Sequence, residues 1–311
     1  MSRQGIIKKV SSVTARFAGI AATVCAAIAA SAVMASAGGY HFTDLGTLPG
    51  YTNSVAYSIN NWGQVVGDAV SADGTAFHAA LFNDGKVTDL GTLPGYVYSQ
   101  AYAINNWGQA VGYAITADGT AYQAALFGNG KVTDLGTLRG FTYSQADGIN
   151  DWGQAVGYAV STDGTAYQAA LFSNGNVTDL GGLRGYANSL ASSINNWGQA
   201  VGMAFTADYT TFHAVLFSNG KVTDLNSLVD SAISGYLYSA DSINDAGQIV
   251  GYISIKGQSH AFLLTPDFEQ SEINMQSPPD SYGNTNPYRC GPTVRDGRWW
   301  GFCGEGGNNG N

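Results

Sequence analysis

The chain has 311 residues, of which 42 are Gly; 45% are hydrophobic and only 11% are charged. That apolar share is enough to fill a core, and the low charge excludes a wholesale disordered chain, a collagen and a charged coiled coil. The formal net charge of −9 argues against nucleic acid and anionic bilayers as partners, since both are bound through clustered Lys and Arg.

In chain order, the first element is a leader. Arg3, Lys8, Lys9 and Arg16 form a basic segment without an acid, followed by an Ala-rich apolar stretch from Phe17 to Met34 and by Ala35-Ser36-Ala37. Basic, apolar and A-x-A segments in that order predict a secretory signal peptide over residues 1–37, cleaved before Gly38. A retained membrane anchor is the weaker alternative, because the stretch is mostly Ala and small residues sit where a signal peptidase needs them. Val24, before Cys25, is too bulky for a lipoprotein site. The expectation is therefore a secreted or periplasmic protein with no membrane attachment after cleavage. Losing four of 13 basic residues and none of 22 acidic ones, the mature chain carries a net charge of −13.

Repetition dominates the mature chain. Thr-Asp-Leu begins at Thr43, Thr88, Thr133, Thr178 and Thr223, a period of 45 residues without drift. Ile-Asn-x-x-Gly-Gln-x-Val-Gly begins at Ile59, Ile104, Ile149, Ile194 and Ile243, and its last interval of 49 contains four extra residues around Ser231 to Gly235. Within the unit Ser99 to Leu138, four runs of five to eight residues are broken by Asn106-Trp107-Gly108, Ala117-Asp118-Gly119 and Gly128-Asn129-Gly130. Short runs closed by Asn-Gly or Asp-Gly turns predict an antiparallel meander of four strands, and no run is long enough for a helix.

Ala124, Ala125, Leu126 and Phe127 put apolar groups on both faces of their strand, which requires neighbours on both sides. The first Thr-Asp-Leu precedes any other marker, whereas the last unit ends at His260-Ala261-Phe262-Leu263 without one. This split predicts an all-β fold: a five-bladed β-propeller over residues 40–266, with four-stranded antiparallel blades and His41 to Gly46 completing the last blade to close the ring. A linear solenoid is the alternative.

His260-Ala261-Phe262-Leu263, taken with the Ile-Asn-x-x-Gly-x-x-Val-Gly copies, resembles the HAF-type extracellular repeat of bacterial exported proteins across residues 41 to 265. The other copies depart from it: Ala80 and Val215 stand where the motif has Phe, and Gln123 and Gln168 replace His. The resemblance implies export and repeat architecture and brings no established activity.

Trp62, Trp107, Trp152 and Trp197 occupy one hairpin tip in four units, each following an amide or carboxylate: Asn61, Asn106, Asp151 and Asn196. Flat aromatic surface beside hydrogen-bonding groups suits a sugar, whose C–H faces stack and whose hydroxyls need partners. These eight residues are the candidate ligand site, with packing over the turns as the structural alternative. Ala246 breaks the series in the fifth unit.

Other candidates read as structural. Asp44, Asp89, Asp134, Asp179 and Asp224 are expected to anchor backbone N–H groups, and Asp73, Asp118 and Asp163 to shape turns. His78, His213 and His260 share a position with Gln123 and Gln168, a mixture that suits hydrogen bonding and not zinc. No metal site and no cofactor is expected.

Catalysis is disfavoured: no Glu lies between Gly38 and Phe268, no nucleophile elbow, zinc motif or phosphate loop is present, and near-identical units make repeated rather than singular sites. The tail, residues 267–311, is rich in Pro, Gly, Asn and Ser and is expected to be mostly irregular, with Cys290 and Cys303 as one disulfide around Arg295, Arg298, Trp299 and Trp300. The sequence thus predicts a non-catalytic binding module for a glycan or a surface protein. A protein-interaction scaffold is the runner-up and a glycosidase-like hydrolase the least favoured reading.

Overall fold

The computed structural model describes residues 41–229, 235–266, 288–295 and 298–305; the expected signal peptide, part of the four-residue insertion and much of the tail lie outside them. The chain divides into two units, Met1–Pro266 and Asp267–Asn311.

The first unit is all-β. Sheet 1 is the meander β1 (Asn53–Ile59), β2 (Val65–Val70), β3 (Phe77–Asn83) and β4 (Lys86–Asp89). Sheet 2 repeats it with β5 (Tyr98–Ile104), β6 (Ala110–Ile115), β7 (Tyr122–Gly128) and β8 (Lys131–Asp134). Sheet 3 holds β9 (Tyr143–Ile149), β10 (Ala155–Val160), β11 (Tyr167–Ser173) and β12 (Asn176–Asp179). Sheet 4 holds β13 (Asn188–Ile194), β14 (Ala200–Phe205), β15 (Phe212–Ser218) and β16 (Lys221–Asp224). Sheet 5 has three strands, β17 (Gly235–Ile243), β18 (Ile249–Ile255) and β19 (Gln258–Leu264). Among the described residues helix is confined to one 3-10 turn, Leu225–Ser227.

Local chemistry sets each meander. Between β7 and β8, Asn129 and Gly130 take φ of 53° and 70°, the paired left-handed conformations that a two-residue hairpin turn demands. Between the first and second strands, Asn105 organises the turn with its side chain: its Oδ1 accepts from the Trp107 and Gln109 amides at 3.0 Å each, and its Nδ2 donates to Gln109 Oε1 at 2.8 Å. The first strand also slips register, between Ala101 and Ala103 in sheet 2. The slip presses the Gln100 carbonyl against Gly112, where a Cβ would sit 1.9 Å from that oxygen. The Val-Gly of the repeat is therefore a glycine for steric reasons.

Sheets stack face to face. The second and third strands of one sheet pack on the first strand of the next, and each seam has its own apolar cluster. At the first seam Val66, Ala79 and Leu81 lie against Ala101, Ile104, Ala114, Ala125 and Phe127. Alanines on both sides let backbones approach, while the Phe and Leu side chains fill what remains. This is the two-faced burial that the sequence predicts, in a propeller-like stack.

One expectation needs correction. His41 to Gly46 is not a strand, and β19 has no fourth partner, so the ring is not closed by strand pairing. Accordingly the outward faces of the two end sheets are exposed, with Ile59 66% and Leu263 60% accessible. The tail, expected to be mostly irregular, contains a two-stranded antiparallel sheet of β20 (Tyr288–Arg295) and β21 (Arg298–Glu305). Its register sets the Cys290 and Cys303 backbones opposite each other. Pairing within one short hairpin needs little chain closure, which is how a Pro- and Gly-rich segment forms it.

Candidate functional site

The turns joining first and second strands gather at one end of the stack. There the Ile-Asn-Asn or Ile-Asn-Asp triplets of all five sheets, from Ile59-Asn60-Asn61 to Ile243-Asn244-Asp245, line a single cavity of about 300 Å³. The repeat explains the convergence: one turn with one period returns to one place on each sheet.

Two ladders of hydrogen bonds bind these turns across the seams. In the inner ladder each Asn side chain donates to the next turn's carbonyl: Asn60 to Asn105, Asn105 to Asn150 and Asn150 to Asn195 at 3.0 Å each, and Asn195 to Asn244 at 3.1 Å. In the outer ladder each backbone amide donates to the next side chain: Asn61 to Asn106 at 3.0 Å, Asn106 to Asp151 and Asp151 to Asn196 at 2.9 Å, and Asn196 to Asp245 at 2.8 Å. Where the acceptor is a carboxylate, a second bond forms from Asn106 Nδ2 to Asp151 and from Asn196 Nδ2 to Asp245, both at 2.9 Å.

The structure therefore brings Asn61, Asn106, Asp151 and Asn196 together and engages all four between sheets. Asn60, Asn105, Asn150 and Asn195 hold the inner ladder. Sequence analysis did not single these asparagines out; their signal was the recurrence of Asn beside the apolar Ile, which only the third dimension turns into a ladder.

The four Trp side chains surround this end. Trp62, Trp107 and Trp152 are 75%, 68% and 67% exposed, and Trp197 is 39% exposed. They do not dangle. Each backbone amide is held by the turn Asn. Trp62 Nε1 donates to the Asn106 carbonyl, Trp152 Nε1 to that of Asn196 and Trp197 Nε1 to that of Asp245, at 2.9–3.0 Å. These three rings thus span seams with the indole N–H pinned and much of their surface in solvent.

The remaining candidates have structural partners. The Thr-Asp-Leu aspartates accept from the amide two residues on: Asp44 from Gly46, Asp89 from Gly91, Asp134 from Gly136, Asp179 from Gly181 and Asp224 from Asn226, at 2.6–2.9 Å. His78 and His213 bond the second carboxylate oxygen of Asp89 and Asp224 at 2.9 and 2.8 Å, and Gln168 bonds Asp179 at 2.7 Å. Burial acts upward on Asp224, but bonds from Asn226 and His213 outweigh it and hold the carboxyl below its ordinary value. In the turn at Asp73, bonds from Ser71 and Thr75 pull the carboxyl down to about 2.

Three aspartates with no assigned role in the sequence line the inner strands. Burial raises Asp68, Asp147 and Asp241, with Asp147 reaching about 7. Asp68 is 1% exposed and accepts from Gln100 at 3.3 Å, while Gln145 donates to Asp147 at 2.7 Å. Gln100 also accepts from the Tyr102 and Tyr113 hydroxyls at 2.9 and 2.7 Å. Among the described residues no group of three or more His, Cys, Asp or Glu is placed to hold a metal, and no helix is long and apolar enough to cross a membrane.

No family model and no curated protein matches the chain. Among solved structures it is similar to TolB from Acinetobacter baumannii, with 12% identity and a TM-score of 0.46. That alignment covers 68% of this chain and 52% of TolB, so the chain matches about half of that protein's length.

Proposed function

We propose that the chain is an exported, non-catalytic binding module of the HAF-repeat type, with five sheets acting as propeller blades. Its ligand surface is the end carrying the Trp-bearing turns, and its ligand class is a glycan of the cell surface or matrix. The observation that carries this reading is the exposure of Trp62, Trp107 and Trp152, at 67–75%, on turns whose backbones are rigidly bonded. A large aromatic ring left in water costs solvation free energy, and held in place it offers a sugar face a stacking partner with little ordering cost. Repeated sites at one end would add avidity for a polymeric ligand.

A second reading, a protein-interaction scaffold, is favoured by the outer amide ladder. Asn106, Asp151 and Asn196 spend their side chains on neighbouring turns, which leaves fewer free hydrogen-bonding groups for sugar hydroxyls. In either reading Cys290 and Cys303, whose backbones pair opposite each other, are proposed to form one disulfide, as export to an oxidising compartment would favour.

The test is a glycan-array screen of residues 38–311, repeated with Trp107→Ala plus Trp152→Ala. Binding to defined glycans, lost in the double variant while its circular dichroism and melting cooperativity are kept, is the expected result. A blank array for a folded sample would overturn the glycan assignment and favour the scaffold.

A further inference from the structure

Each first strand carries one residue more than the second strand it pairs with. That bulged residue is Tyr57, Tyr102, Asp147, Ser192 and Asp241 in sheets 1 to 5. A bulge re-aims its side chain and is a common device beside binding sites. The residue before it is Ala in every sheet, from Ala56 to Ala240, whereas the bulged position itself changes from aromatic to acidic to hydroxyl. A second row varies in the same way: the second-strand residues facing two positions earlier are Asp68, Tyr113, Tyr158, Met203 and Tyr252. Repetition thus builds the frame, and these two rows place singular chemistry in it.

The rows meet in sheets 1 to 3. Across the first seam the Tyr57 and Tyr102 rings stand edge to face with centroids 5.4 Å apart, and Tyr102 lies 5.8 Å from Tyr113. Gln100 ties them to a carboxylate. Its Oε1 accepts from the Tyr102 and Tyr113 hydroxyls, and its Nε2 donates to Asp68 Oδ2; the Tyr57 hydroxyl also bonds Asp68. From sheet 3, Asp147 is close enough to act electrostatically on Tyr102 and Tyr113, as on Tyr122 and Tyr158. No cation compensates either carboxylate. Among the described residues the ion pairs are His78 with Asp89 and His213 with Asp224, and no Lys, Arg or His acts on Asp68 or Asp147. Asp68 is buried, yet its Oδ1 has no hydrogen-bond partner. Burial raises both carboxyls, Asp147 to about 7, a shift that a neighbouring positive charge would oppose. Tyr102, Tyr113 and Asp147 all keep partial contact with solvent.

We infer that this cluster is a binding site for a small organic ammonium ion, held by the Tyr102 and Tyr113 rings and by the Asp68 and Asp147 carboxylates. The tyrosine hydroxyls already spend their protons on Gln100. What the cluster offers a ligand is therefore negative ring faces and carboxylate oxygens, which attract a cation. An N–H of the ammonium group supplies the donor that Asp68 Oδ1 lacks. A divalent metal suits the cluster poorly, because it takes six or more oxygen ligands and no three acidic or His side chains converge among the described residues. A neutral sugar would leave both charges uncompensated. The inference stands apart from the glycan reading, since none of these residues lies on a Trp-bearing turn.

The test is isothermal titration of the mature chain at pH 8 with n-butylammonium chloride, and with 1-butanol as the uncharged counterpart of the same size. One equivalent of butylammonium should bind, and 1-butanol at least tenfold more weakly. Asp68→Asn and Asp147→Asn should each weaken butylammonium binding at least tenfold with the circular dichroism spectrum kept. Proton release gives a second reading on the unsubstituted chain. A bound cation favours the ionised carboxylate, so titration at pH 6 in buffers of different ionisation enthalpy should show about one proton released, and almost none at pH 9. No binding at about 50 mM butylammonium, equal affinity for 1-butanol, or proton release that is the same at pH 6 and pH 9 would overturn the inference. Full affinity retained in both Asn variants would overturn it as well.

Discussion

Replacing Asp147 with Asn tests how the inner strands tolerate a carboxylate. Asp147 lies on β9 with its Oδ1 bonded to Gln145 Nε2. The groups that act on it electrostatically are tyrosines on neighbouring strands, Tyr102, Tyr113, Tyr122 and Tyr158. Burial carries the carboxyl up to about 7. In the unfolded chain it titrates near 4, so between about pH 4 and 7 the folded state binds more protons than the unfolded one. Stability from this group therefore falls as pH rises through that window and levels off above it. About three pH units at ~1.4 kcal/mol each set an upper bound near 4 kcal/mol. Because Asp147 is only partly shielded from solvent, a penalty of about 2 kcal/mol is the working figure after allowing for screening. The Asp147→Asn side chain keeps an acceptor for Gln145 and removes the proton linkage. Urea unfolding at pH 5 and pH 8 should show the substituted chain gaining about 2 kcal/mol on the wild type as pH rises. Parallel behaviour of the two proteins would show that Asp147 is solvated in the folded state and refute the reasoning.

Gly112→Ala sets a Cβ 1.9 Å from the Gln100 carbonyl oxygen, so the strands must part; a loss of more than about 3 kcal/mol in thermal unfolding is expected. Gly140→Ala, where φ is +88° but nothing lies within 4 Å, should cost only about 1 kcal/mol. Asn150→Ala removes the acceptor for the Trp152 and Gln154 amides and the donor to Gln154 and Asn195. A loss of about 3 kcal/mol is expected from buried groups left unpaired, and a loss under ~1 kcal/mol would mean that water replaces them. Phe217→Ala, at a site 2% exposed in the fourth sheet, should cost about 3–5 kcal/mol by chemical denaturation.

Much of the fold was legible because its determinants are local. Asn129-Gly130 fixes a hairpin by backbone preference alone, and the alternation through Ala124 to Phe127 reports burial on both faces. What stayed hidden depends on residues about 45 positions apart. The period announces that Asn105 and Asn150 are equivalent, yet it does not say that one side chain bonds the other's carbonyl. The need for Gly at 112 is not local, since its steric cause is the slipped carbonyl of a strand that must first be paired. Asp147 replaces the Tyr102 of the preceding unit, a change that reads as surface drift until the inner strand is seen to be shielded. The closing strand was expected from the uneven count of Thr-Asp-Leu. The structure leaves His41 to Gly46 outside any strand, because a repeat count records which pieces match and not which strands approach one another.

The ladders also decide how the candidate surface must be dissected. Asn106 receives the Asn61 amide and donates two bonds to Asp151, so Asn106→Ala would weaken two seams together with any ligand contact. Loss of binding in that variant would not distinguish recognition from support. Trp152 is better suited, because its ring is 67% exposed and its Nε1 makes a single bond to the Asn196 carbonyl. Trp152→Phe keeps an aromatic face and gives up that bond, at a cost of about 1 kcal/mol, whereas Trp152→Ala gives up both. If recognition is stacking, affinity should survive the first change within a few fold and fall at least tenfold with the second, while melting temperatures move little between them. Equal loss of affinity in both variants would assign the work to the indole N–H and the seam it spans, and the glycan surface would have to be sought elsewhere.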